Sequence, residues 1–80
     1  MKTVTLDLNQ LFPGKPSPHS FPQQVAQHDF SRYAGQRVRL HGCAPTWAHL
    51  MIAARLLPVA AGVDFLIDDG KEGIVVPITS

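Results

Sequence analysis

The chain has 80 residues, 45% of them apolar and 16% charged, so it makes one small domain with no room for a large catalytic core. Seven Lys or Arg against six Asp or Glu leave a net charge of +1, which excludes a whole-molecule field that would draw the protein to nucleic acid or an anionic membrane. The single cysteine, Cys43, excludes an intrachain disulfide and a zinc site of paired thiolates, and points to a reducing, cytoplasmic setting. No apolar h-region follows Met1, and the longest apolar stretch, residues 50–63, is too short and too interrupted by Arg55 and Pro58 to span a bilayer.

Val4, Leu6 and Leu8 alternate with Thr3, Thr5 and Asp7, the period-2 pattern of a half-buried strand. Residues 13–24 follow as a proline-rich loop. Pro13, Pro16, Pro18 and Pro22 disfavour helix and ladder pairing there and predict an extended, mobile surface connector. Asp29-Phe30-Ser31-Arg32-Tyr33 before Gly35 reads as a single capped helical turn with Phe30 and Tyr33 tucked beneath it. Arg37-Val38-Arg39-Leu40-His41 alternates again, with Val38 and Leu40 inward and the three basic residues on the opposite face.

From Pro45 the pattern becomes helical. Trp47, Leu50, Met51, Ala54 and Leu57 fall at helical spacing, and Pro58 ends the run. Ala48, Ile52, Ala53 and Leu56 make the other face apolar too, so the helix needs cover on more than one side. A second copy of the chain, most simply in a two-fold dimer, is the expected cover, with folding of the proline-rich loop over the helix as the alternative. Val63, Phe65 and Ile67 then alternate with Asp64, Leu66 and Asp68, and Asp69-Gly70 turns the chain into Ile74-Val75-Val76, which stops at Pro77. The expected fold is α+β: a mixed sheet of about four strands in the order β-β-α-β-β, with one main helix on one face and a strand-helix-strand crossover.

The stretch from Arg37 to Trp47 carries the strongest chemical signal. Arg37, Arg39 and His41 share one strand face, which runs through Gly42-Cys43-Ala44 into the amino end of the helix at Pro45. Free amides and the helix dipole there favour an anion, and open sheets bind ligands beyond the carboxyl ends of parallel strands. Each arginine taken singly is better explained by keeping an exposed sheet face soluble. Trp47 fits a core position better than a base-stacking platform. Asp64, Asp68, Asp69 and Glu72 cluster within nine residues and could offer hard oxygens to manganese or magnesium, although Asp69 also suits a tight turn. His19, His28, His41 and His49 lack metal-ligand spacing.

Through Gly42-Cys43-Ala44-Pro45-Thr46-Trp47-Ala48-His49, the chain resembles a small CRISPR-associated family, the manganese-dependent ring nucleases of type III systems, also described as RNA deadenylases. The likeness covers about half the chain. It comprises a strand entering a glycine-rich turn with Pro and Trp, an apolar helix, a strand ending in Asp68, and a valine-rich strand after a glycine-containing hairpin. It implies a dimeric antiviral-defence protein that binds cyclic oligoadenylate and cleaves it with manganese. Asp68 alone carries over from the family's acidic and histidine set. Leu56-Leu57, Asp69-Gly70-Lys71 and Thr79-Ser80 stand where the family has its other functional residues.

The resulting expectation is a cytoplasmic homodimer that binds a cyclic oligoadenylate, by sequestration or weak phosphodiester cleavage. Arg37, Arg39, His41, Gly42, Pro45, Trp47 and His49 would form the ligand site, and Asp68 would be the catalytic and manganese-binding residue. The alternative is a non-catalytic homo-oligomeric interaction module. General RNA binding is disfavoured by the near-neutral charge and the few aromatic residues.

Overall fold

Period-2 alternation gives Thr3–Asp7 one apolar side, and in the computed structural model this segment is the first strand, β1. The structure describes residues 2–67 and 73–79. After β1 come two short helices, α1 (Leu8–Leu11) and α2 (Phe21–Gln27), a 3-10 turn at Phe30–Tyr33, and strand β2 (Arg37–His41). The main helix α3 (Thr46–Leu56), strand β3 (Gly62–Ile67) and strand β4 (Ile74–Pro77) complete the order. The sheet runs β1-β2-β3-β4, with β1, β2 and β3 parallel and β4 antiparallel to β3. This is the mixed four-stranded α+β sheet with a crossover helix that the patterning implies.

Leu6, Val38, Leu40 and Val63 from the strands meet Phe21, Val25, Phe30, Tyr33, Ala48, Ile52 and Leu56 from the helical segments in one buried core. The helical segments therefore form one layer on one face of the sheet. Alternation sends Arg37, Arg39, His41 and Asp64 to the other face, which no element of the described residues covers. The capped turn forms as its sequence implies. Asp29 accepts from the Ser31 amide at 3.0 Å, and Phe30 and Tyr33 are buried. Hydrogen bonds from Ser31, its hydroxyl first, hold the Asp29 carboxyl below its ordinary pKa.

Two expectations need correction. The loop is shorter than residues 13–24, because the chain turns helical at Phe21 and Pro22 occupies the first turn of α2, where its missing N–H has no intrahelical partner. The buried face of α3 is Ala48, Ile52 and Leu56, whereas Leu50 is 64% exposed and Leu57 49%. Both faces of α3 are apolar, so hydropathy alone cannot choose between them. Here the sheet takes the row containing the small Ala48, which lets the helix approach closely. The flank carrying Trp47 packs on α2, with the Trp47 and Phe21 rings edge to face at 5.7 Å. Part of the second side is thus covered from within the chain. Among the described residues no helix is long and apolar enough to cross a membrane.

Candidate functional site

The three parallel strands end side by side, and the chain beyond β2 is held by a clamp from α1, the helix that follows the neighbouring strand β1. Asp7 caps α1 by accepting from the Asn9 amide at 2.9 Å. This places the Asn9 side chain against Cys43, 34 residues away. Its Oδ1 accepts from the Cys43 N–H at 2.7 Å, and its Nδ2 donates to the Cys43 carbonyl at 3.0 Å. One side-chain amide thus satisfies both polar groups of one backbone residue, as a neighbouring strand would.

Gly42 is required here twice over. Its φ of +123° is one that side-chain-bearing residues rarely adopt. A Cβ would also stand 2.9 Å from both Asp7 Oδ1 and the Leu8 nitrogen. One turn into α3, His49 Nε2 lies 3.0 Å from the Gly42 carbonyl. Because a carbonyl only accepts, Nε2 carries the proton in this contact. That Nδ1 is buried with no hydrogen-bond partner, and the ring packs edge-on against Phe65 at 5.0 Å.

These elements enclose a cleft of about 400 Å³ lined by Asn9, His41, Gly42, Cys43, Phe65, Leu66 and Ile67. It lies beyond the carboxyl ends of β2 and β3, where open parallel sheets take their ligands. Its walls divide into an apolar side from β3 and a polar side from the Gly42 turn. Of the residues expected in a ligand site, His41 and Gly42 line the cleft and His49 braces its wall through Gly42. Pro45 is the exposed residue that opens α3. Trp47 belongs to the α2–α3 contact. Asp68, the expected catalytic and metal-binding residue, lies outside the described residues, as do Asp69 and Glu72.

Arg37 lies at the opposite end of β2, ~13 Å from His41 by strand rise, and its guanidinium is already engaged. It donates from Nε to Asp64 Oδ2 at 2.8 Å, from Nη2 to Asp64 Oδ1 at 2.5 Å, and from Nη2 to the Thr79 carbonyl at 3.1 Å. Asp64 is 2% exposed. The Arg37 hydrogen bonds hold its carboxyl below the ordinary value, and the same contact raises Arg37 further. A Cβ on Gly62 would fall on the Arg37 guanidinium, so glycine at the start of β3 makes room for the pair.

Arg39 stands between the two ends. Its Nε is 3.6 Å from Asp64 Oδ2, too long for a hydrogen bond, and its side chain is 41% exposed. The Asp64 pairing was readable from period 2, which puts Asp64 on the arginine face. The register that sets Arg39 opposite Asp64 is what completes it.

A second hollow, of about 420 Å³, is lined by Leu11, Phe12, Pro13, Gln24, Gln27 and His28. Its one titratable group, His28, already pairs with the Tyr33 hydroxyl at 2.8 Å and packs against the Phe12 and Phe30 rings. Burial, reinforced by Arg32, lowers the His28 pKa, and burial raises that of Tyr33. Among the described residues no three His, Cys, Asp or Glu side chains gather as a metal site would require. Comparison with protein-family models, with curated proteins and with solved structures finds nothing that matches this chain.

Proposed function

We propose that the protein binds a cyclic oligoadenylate, one nucleotide unit per chain, in the cleft beyond β2 and β3. The observation that carries this reading is the cleft itself, which joins an apolar wall at Phe65 to the glycine turn that Asn9 clamps. About 400 Å³ lies within the range of small-ligand pockets and takes a single nucleotide rather than a whole ring, so a ring would engage more than one copy. In this arrangement the base lies against Phe65 and Ile67. The phosphate meets His41 and the turn leading into α3, where helix-end amides favour an anion. Arg39, ~7 Å back along the same strand face, supplies the cation, since Arg37 is held by Asp64. The resemblance carried by Gly42–His49 names adenylate as the base and manganese as the metal that would accompany cleavage.

Titration calorimetry with cyclic tetra-adenylate and with linear oligoadenylate, each with and without manganese, tests the reading. The cyclic ligand should bind more tightly, and His41→Ala and Arg39→Ala should each weaken it about tenfold, the equivalent of ~1.4 kcal/mol. Failure of both ligands to bind overturns the proposal and leaves the interaction-module reading. A bound ring that stays intact over hours identifies sequestration, whereas appearance of linear products identifies cleavage.

A further inference from the structure

Strand β4 combines two features that seldom occur together in a stable monomer. It is the sheet's edge, and its residues Ile74, Val75 and Val76, with Ile78 beyond, are all apolar and all exposed, from 36% to 54%. Natural edge strands are usually blunted by charge, a bulge or a covering element. The described part of this one carries no charge, and only Pro77 interrupts it. The helical layer stops short of it. Ile74 and Val76 sit opposite Ile67 and Phe65 on the helix side of the sheet, where α3 covers β3 but leaves these side chains in water.

The ladder parity fixes which backbone groups face outward. Ile78 donates to the Val63 carbonyl at 2.9 Å, so Val63 and Ile78 form a hydrogen-bonded pair, as then do Phe65 and Val76, and Ile67 and Ile74. Leu66 and Val75 form a non-bonded pair, as do Asp64 and Pro77. Val75 therefore presents both its N–H and its C=O to the free edge, while Pro77 presents a carbonyl alone. A strand whose outward donor-and-acceptor residue lies at its middle is complementary to an antiparallel copy of itself.

We propose that β4 pairs with β4 of a second copy about a two-fold axis at Val75, making one continuous eight-stranded sheet. The two Val75 residues exchange N–H···O=C bonds across the axis, and Ile74 of each copy lies opposite Val76 of the other on the helix side. With no charge on the strand, the two-fold brings no like charges together. The seam is only ~14 Å long, four residues at strand rise, well short of the about 800 Å² per partner of a standard interface. The dimer is accordingly weak. This inference is independent of the ligand proposal and differs from a dimer through the exposed back of α3.

Sedimentation equilibrium of the full chain from low micromolar to several hundred micromolar tests it. The wild type should pass from monomer to dimer across that range. Val75→Lys, which sets two ammonium groups against each other at the axis, should weaken association about fivefold, the upper size of effect expected for a directly opposed cross-strand pair. Val75→Pro removes one outward N–H without touching the β3 ladder and should weaken it similarly. Leu50→Glu, on the back of α3, should leave it unchanged. If Val75→Lys fails to fold, exchange of the Val75 amide in the wild type decides, since it should slow as concentration rises. A wild type that remains monomeric throughout overturns the proposal. So does a dimer that survives both Val75 substitutions, or one that only Leu50→Glu dissolves.

Discussion

β2 and β4 are both short strands with apolar residues, and the sheet treats them in opposite ways. β2 is flanked on both edges and covered by α3, and its inward Val38 and Leu40 are 0% and 2% exposed. β4 is more apolar in sequence, yet every residue in it is exposed. Burial in this protein follows position in the sheet rather than hydropathy. A helical layer built from one main helix and two short ones covers three strands and not a fourth. The surplus apolar surface falls on the strand that is added last, and the polar surplus of β2 falls on the open face, where Arg37 and Asp64 neutralise each other.

The sharpest test of that contrast sets a covered residue against an edge residue. Ile52→Ala removes a fully buried side chain of α3 and should cost about 4 kcal/mol in urea unfolding. Val76→Ala at low micromolar protein, where the edge is free, should cost less than about 1 kcal/mol. Equal costs would mean that β4 is as well packed as the core.

Next in size is the ion pair on the open face. Asp64→Asn should cost about 2 kcal/mol by removing the charge that Arg37 grips from two sides. The carboxyl's pKa is lowered in the folded chain relative to its ordinary 3.8, so the unfolded chain binds its proton first as pH falls. The stabilisation is therefore complete above about pH 5 and is lost as pH drops through the folded value. Acid unfolding curves of the wild type should show this slope, and those of Asp64→Asn should be flatter below pH 4. Identical acid limbs would mean that the pair contributes nothing.

Comparable in size is the effect at the glycine turn, where Gly42→Ala should cost roughly 1–3 kcal/mol for the unfavourable φ and the collision with the α1 cap. Its signature is local: the Cys43 amide should lose protection as the Asn9 clamp opens, while the Val38 amide keeps its own. A variant with full Cys43 protection would show that the clamp does not depend on glycine.

Local patterns in the sequence were enough for the strands, for the Asp29-capped turn, for the existence of α3 and for the stop at Pro77. Each depends on residues one to four apart, where alternation, capping and a missing amide hydrogen act directly. The candidate site is partly legible in the same way, through Gly42 and His41. Its construction is not, because Asn9 reaches Cys43 and Asp64 reaches Arg37 across 34 and 27 residues. Only the parallel order of β1, β2 and β3, and the register between them, brings those side chains together. The choice of the Ala48 row of α3 over the Leu50 row was likewise made by packing. Two apolar faces of one helix are equivalent to water, and only the shape of the sheet and of α2 distinguishes them.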